Sequence, residues 1–342
     1  MGLNIASSMS TAVKSLRANG IECRGIVRYS HHYTSDETLE KLPGWVSRRH
    51  PLQWTRAHLS QYSRALSAIA WADVLHWYFG VTLLRERIDL QWAKMLGKPG
   101  VVEFLGSDIR IAEIENQDNP YFARYAPEDY RKGLSHEHSC QVQEAFSGMG
   151  CLVQASLLPS VRRDLFRNIS VVHQRIPLSD FAPQFPLSTN KKPVVVHAPS
   201  NRGIKGTDFV LAAVDALRGQ NFEFRLVHNE SHEEAVSRIA EADIFVDQLL
   251  IGDHGFASIE AMALGKPVVC YIKPSVQSQL PADCPIVNAN PDTIRDVLAE
   301  LISNADQRAE LGRRSRLYVE KYHDPPRIAE ELEAIYRQAQ RN

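Results

Sequence analysis

Asp247-Gln-Leu-Leu-Ile-Gly-Asp-His-Gly-Phe-Ala-Ser-Ile-Glu-Ala-Met-Ala-Leu-Gly-Lys-Pro-Val-Val269 reads as one repeat of a parallel α/β sheet. It leaves an apolar run at 243–246, crosses a loop holding Gly252 and Gly255, enters a helix over 258–264, and turns at Gly-Lys-Pro into a second apolar run at 267–271. Two short strands joined through a helix form a right-handed crossover, so they lie parallel. The loop then sits at the carboxyl ends of the strands, where free helix amides and the positive dipole end attract anions.

Working upstream, the same alternation predicts a strand at 194–198, a helix at 208–217, a strand at 222–228 and a helix at 233–240. Downstream, helical spacing covers 291–302, 306–322 and 326–340. The N-terminal half repeats the theme with a helix over 7–18, strands at 25–29, 72–79 and 98–105, a helix near 83–96 and a strand at 151–154. The polar loop 2–8 looks like one that follows a first strand, so the chain opens inside a βα unit, with its start truncated or that strand unusually short. The stretch 176–193, rich in proline and polar residues, reads as a linker. These patterns predict two parallel-sheet, Rossmann-like domains: 1–178, with a helix at 323–342 crossing back to it, and 190–322.

The composition is that of an ordinary globular chain. Its 342 residues are 44% hydrophobic and 23% charged with a formal net charge of -1, which argues against a nucleic-acid partner. The five cysteines form no CxxC pair, so neither a disulfide framework nor a structural metal is expected, and a reducing compartment is. No apolar run approaches a membrane span and no signal-peptide pattern opens the chain, so a cytoplasmic location is expected.

Two loops have the content of an anion site. The first runs from His197 to Asp208 and carries Ser200, Asn201, Arg202, Gly203, Lys205 and Gly206. Arg202 offers a bidentate fork and Lys205 a point charge for a diphosphate; the alternative is that both are solvated loop charges. The second loop carries Asp253, His254, Gly255, Phe256 and Ala257 and leads to Glu260, a carboxylate in the first turns of an otherwise apolar helix. Glu260 could accept both hydroxyls of a ribose or merely complement the helix dipole.

The run Glu260-Ala-Met-Ala-Leu-Gly-Lys-Pro-Val-Val269, with Gly255 before it and the Arg202/Lys205-Gly206 loop some 55 residues upstream, resembles the donor-binding half of retaining glycosyltransferases of the glycosyl transferase group 1 family. That resemblance implies the GT-B fold, two Rossmann-like parallel-sheet domains facing a central cleft. It implies that Arg202 and Lys205 hold the donor diphosphate, that Glu260 binds the donor ribose, and that residues 253–256 contact sugar and phosphate. The implied activity is transfer of a sugar from a nucleotide-diphosphate-sugar, a UDP- or GDP-sugar, to a hydroxyl acceptor that is a glycan, a lipid-linked or a small molecule. Retention of configuration follows from the family. The chain also lacks an Asp-x-Asp triplet, so no catalytic metal or other cofactor is expected. A non-catalytic nucleotide-sugar-binding subunit and another GT-B enzyme, such as a sugar-nucleotide epimerase, are the competing readings.

The sequence departs from the family where Gly252 occupies the position of a second acidic residue, eight before Glu260, with Asp253 one step along. In the N-terminal half, Gly106, Ser107 and Asp108 resemble a His-Gly-Ser-Asp segment with Leu105 in place of the histidine. His76 is a candidate to face the cleft instead, or else a core histidine. Asn4, Ser7 and Ser8 are candidates for the acceptor or phosphate side, because the first βα loop of this fold points at the cleft. The stretch 45–59 mixes Trp45 and Trp54 with arginine and histidine, which suits either a peripheral contact at the inner face of a membrane or the packing of a cationic helix.

Overall fold

The computed structural model describes residues 1–4, 7–28, 37–43, 47 and 49–341. Tyr29 of the expected strand at 25–29, and Trp45, Val46 and Arg48 of the tryptophan–arginine stretch, lie outside the described residues. The strands in chain order are β1 (Gly25–Val27), β2 (Leu39–Lys41), β3 (Leu75–Tyr78), β4 (Gly100–Phe104), β5 (Gly150–Val153), β6 (Asn168–Val171), β7 (Val194–His197), β8 (Glu223–Leu226), β9 (Ile244–Val246), β10 (Val268–Cys270) and β11 (Val287–Asn288). The α-helices are α1 (Ser8–Ala18), α2 (Pro51–Trp71), α3 (Ile88–Met95), α4 (Ala112–Asp118), α5 (Pro120–Tyr125), α6 (Glu128–Lys132), α7 (His136–Ala145), α8 (Arg202–Lys205), α9 (Thr207–Ala216), α10 (His232–Ala240), α11 (Phe256–Ala263), α12 (Pro274–Gln277), α13 (Ile294–Ser303), α14 (Ala305–Tyr322) and α15 (Pro325–Arg341). No described helix is long and apolar enough to cross a membrane.

The chain divides into two compact units, Met1–Ile111 with Leu134–Arg175 and Pro325–Asn342, and Ala112–Gly133 with Ile176–Asp324. In the first, the parallel sheet runs β3-β4-β5-β6, with β1 and β2 paired separately. Gly2 links the two sets through isolated parallel bridges to Val27 and Tyr78. The Gly2 amide donates to the Ile26 carbonyl (3.2 Å) and the Tyr78 amide to the Met1 carbonyl (2.9 Å). One bridging residue thus stands where the sequence left a first strand unassigned.

β4 is buried along its whole length, including Glu103. A buried carboxylate needs a partner with its own hydrogen bonds satisfied. Arg175, 1% exposed, supplies it: Nη1 and Nη2 donate to the two Glu103 oxygens (3.1 and 2.6 Å), Nε donates to the Ser8 carbonyl (3.0 Å), and Nη2 also reaches Tyr78 Oη (3.2 Å).

In the second unit the order is β11-β10-β9-β7-β8, all parallel. The central strands Val194–His197, Ile244–Val246 and Val268–Cys270 are dominated by β-branched and apolar residues and largely buried, as strands covered on both faces must be. The helices α4 to α6 were not anticipated by the domain reading, and they group with this unit rather than with the segments that flank them in sequence. Their attachment is polar and specific. Lys273, 1% exposed, places its ammonium 2.8 Å from Glu115 and 3.0 Å from Asp118. Asn119 donates to the Leu250 carbonyl (2.7 Å), and Tyr121 donates to Asp292 (2.8 Å).

Replacing Arg175 by methionine leaves Glu103 charged and unpaired in the core. The expected loss is about 3–5 kcal/mol of stability, measured by chemical denaturation, with the double change Arg175→Met/Glu103→Leu recovering most of it.

Candidate functional site

Both loops singled out in the sequence belong to the second unit and follow adjacent strands, β7 and β9. After β7 the expected loop contains a short helix, α8, capped by Asn201, whose Oδ1 accepts from the Ile204 amide (3.2 Å). Gly206, at φ 74°, is the left-handed turn that ends α8 and starts α9. Ser200 and Arg202 are exposed, and the Arg202 side chain makes no ion pair or hydrogen bond among the described residues.

Lys205 behaves differently. Its ammonium lies 2.6 Å from Asp247 Oδ1, with 14% of the lysine side chain and 2% of the aspartate exposed. Asp247 Oδ2 accepts from Ser258 on α11 (2.6 Å), and the Leu249 amide donates to the Lys205 carbonyl (3.1 Å). Burial favours the neutral form of both groups, yet their mutual attraction outweighs it, holding Lys205 above and Asp247 below their ordinary values. Lys205 is therefore neither a solvated loop charge nor an unpaired cation; it ties the loop after β7 to the loop after β9. His197, the last residue of β7, is also internal: its ring nitrogens meet the Val246 carbonyl and Thr207 Oγ1, each at 2.9 Å, and burial pulls its pKa down to about 4.

The loop from 247 to 255 is built around Gln248, which is fully buried. Gln248 Nε2 donates to the carbonyls of Asp253 and Tyr271, and its Oε1 accepts from the Ile251 amide (2.6 Å). Gly252 has φ 81°, and a Cβ there would stand 2.8 Å from Asn119 Nδ2 and 3.0 Å from the Lys273 side chain. An acidic residue does not fit at this position, which accounts physically for the departure from the family pattern. Asp253 is 8% exposed; its Oδ1 accepts from the His254 amide (2.8 Å) and lies 3.1 Å from His254 Nδ1.

α11 begins at Phe256 behind Gly255, and no side chain caps it. The positive dipole end of the helix lies at half-buried Gly255, Phe256 and Ala257, and of its first-turn amides Ser258 donates to the Gly255 carbonyl (3.1 Å). One turn on, Glu260 is 7% exposed. His232 Nε2, on the first turn of α10, contacts its Oε1 at 2.9 Å, while Oε2 makes no hydrogen bond among the described residues. The Glu260 hydrogen bond raises the pKa of His232 against the opposing effect of burial.

No family model matches this sequence, and no curated protein matches it. Solved structures do. The chain is similar to sucrose-phosphate synthase from Thermosynechococcus elongatus, at 13% identity over 96% of this chain and 91% of that one, with a TM-score of 0.64. A glycosyltransferase from Rickettsia africae aligns at 11% identity over 99% and 96%, with a TM-score of 0.62. HepE from Anabaena, in complex with UDP and glucose, aligns at 11% over 96% and 95%, with a TM-score of 0.57. The fold is GT-B.

Of the N-terminal candidates, Asn4, Ser8, Asp108 and His76 are engaged inside the first unit. Asn4 Oδ1 accepts from the Met9 and Ser10 amides (3.0 and 3.2 Å), so it caps α1, and Ser8 Oγ accepts from Arg175 (3.2 Å). Ser7 is the N-cap residue of α1, at φ 59°. Asp108 holds its own turn by accepting from the amides of Leu105 (3.2 Å) and Gly106 (2.8 Å); burial pushes its pKa up to about 6. Ser107 is exposed beside it. His76, a cleft candidate from sequence, is instead in the core: Nδ1 is 2.7 Å from Tyr336 Oη, Nε2 is 3.4 Å from Glu103, the ring stacks on Tyr78, and burial pulls its pKa down to about 4. Sequence reasoning passed over Asp247, Gln248, His232 and Lys273. Only Asp247, an acid directly after an apolar strand, gave a signal that could have been read.

Lys205→Met strands the buried Asp247 charge, and a loss of about 3–5 kcal/mol is expected. Thermal and urea unfolding check this, and Lys205→Met/Asp247→Asn should restore most of it. The His232–Glu260 pair carries a pH signature of known sign. Below the ordinary histidine value of 6.5 the ring is charged whether the chain is folded or not, so the pair contributes in full; the contribution is lost as pH rises through the elevated folded value. Histidine NMR titration should place His232 above 6.5, and Glu260→Gln should remove the elevation.

Proposed function

We propose that this chain is a glycosyltransferase that moves a sugar from a nucleotide-diphosphate-sugar to a hydroxyl acceptor, retaining the donor's configuration and using no metal. The observation that carries this reading is the pairing of an uncapped helix N-terminus, at Gly255–Phe256, with a nearly buried carboxylate one turn along whose Oε2 is unoccupied. The amides suit a phosphate and the carboxylate suits ribose hydroxyls. HepE, with UDP and glucose bound, supports a UDP-sugar as the first donor to test.

In the proposed reaction the bond between the anomeric carbon and the β-phosphate oxygen breaks while the acceptor oxygen bonds to the same face of that carbon. The acceptor's proton passes to the departing diphosphate oxygen, so no enzymic nucleophile is needed. Arg202 and the first amides of α11 stabilise the charge that develops on the diphosphate, as fixed donors do for an oxyanion. Lys205, neutralised by Asp247, contributes chiefly by fixing the loop that bears Arg202. A lipid-linked acceptor fits the same chemistry as a glycan.

A second reading, a nucleotide-sugar-binding subunit without turnover, draws on the internal engagement of Asn4, Ser8 and His76. Nucleotide release from UDP-, GDP-, dTDP- and ADP-sugars without added metal separates the two. Slow hydrolysis of one donor is expected, with kcat/KM down roughly 100-fold in Arg202→Ala and binding weakened about tenfold or more in Glu260→Ala. Binding without hydrolysis under any acceptor condition would favour the subunit, and no binding at all would remove the donor site from this place.

A further inference from the structure

Between Lys41 and Asp73 the sequence holds no acidic residue, while it carries Arg48, Arg49, Arg56 and Arg64. Helix α2 occupies 21 residues of this stretch and buries only Ala65, Ala68 and Ile69. Leu52, Leu59 and Leu66, at seven-residue spacing, are 86%, 67% and 42% exposed. Seven residues are close to two helical turns, so the three leucines form one ridge along the exposed side. Arg56, exposed, stands one turn from both Leu52 and Leu59 and flanks the ridge, whereas Arg64, also exposed, lies around the helix on the side nearer buried Ala68.

The tryptophan and histidine that drew attention to this stretch are less prominent. Trp54 and His58 are half-buried, with ring centroids 4.1 Å apart. The ridge itself is leucine; Trp71, 42% exposed at the end of α2, lies off it under the Arg24 guanidinium, 5.5 Å from its ring.

The charge around the ridge identifies what covers it. Glu40, which acts electrostatically on Arg64, is already held by Arg24 through two contacts of 2.7 Å. At the far end of α2, Lys98 Nζ donates to the carbonyls of Ala70 and Ala72 (2.8 Å each), adding a cation there. A leucine ridge at heptad spacing could in principle meet a second copy of itself, but Arg56 would then lie at the seam with no carboxylate on α2 to pair it. An anionic surface satisfies ridge and flank together: leucines enter the acyl boundary while the Arg56 guanidinium meets phosphates.

We propose that α2 is a membrane-docking helix that lies along an anionic lipid surface, inserting Leu52, Leu59 and Leu66 with Arg56 beside them at the headgroups. This inference is independent of the donor-site reading, because it draws on no residue of that site. The test is co-sedimentation of the full chain with vesicles of phosphatidylcholine and phosphatidylglycerol, against vesicles of phosphatidylcholine alone, at low and high salt. Sedimentation with the anionic vesicles only, reversed by salt, is expected. Leu52→Ser/Leu59→Ser/Leu66→Ser should weaken partitioning at least about tenfold, Arg56→Glu should do likewise, and both should melt like the parent chain. A full chain that stays in solution with anionic vesicles, or a serine variant that partitions unchanged, overturns the proposal. So does a dimer in analytical ultracentrifugation that the serine variant splits and anionic vesicles leave intact.

Discussion

A buried ion pair between Lys205 and Asp247 holds the second unit's candidate site in shape. Each partner comes from the end of a different strand, and Ser258 brings in the helix that follows the second of them. Taking two charges out of water is costly, and a pair at 2.6 Å with the remaining carboxylate oxygen hydrogen-bonded is the geometry that offsets the cost. The gain is positional. Arg202 and the open end of α11 sit on backbone whose course this contact fixes, so the groups that would meet a ligand are supported by groups that do not.

The same division between supporting and presenting residues explains what could be read in advance. Strand and helix alternation in the second unit was legible because parallel central strands must be apolar on both faces, and the valine runs at 194–196 and 268–269 state that directly. Glu260 was legible because a carboxylate in an apolar helix demands a reason. Lys205 reads in sequence as a cation for a diphosphate; that it pairs with Asp247 depends on a contact 42 residues away that no local pattern encodes. His232 and Lys273 were invisible for the same reason. Gly252 reads in sequence as a lost acid; only the neighbouring Asn119 and Lys273 show that the position has no room for a side chain. The short helices from 112 to 132 escaped notice because they depend on caps and long-range polar ties rather than on a sustained apolar stripe.

In the first unit, polar residues that looked available in sequence are spent on the interior. Glu103, on a fully buried strand, draws Arg175 inward, and Arg175 in turn takes up Ser8 and Tyr78. His76 and Tyr336 complete this cluster. A polar group near a strand end is thus ambiguous from sequence alone: it faces a ligand only if no buried charge nearby has first claim on it.

The grouping of residues 112–133 with the second unit has a consequence for how this protein can be taken apart. The chain passes from one unit to the other at 111/112, 133/134, 175/176 and 324/325, so neither unit is a contiguous block of sequence. A fragment cut at the linker would leave Lys273 without Glu115 and Asp118, and the carbonyl of Leu250 without Asn119. Recombination between this chain and a structural neighbour therefore has to transplant two segments together. The modularity visible in the fold is not modularity along the gene.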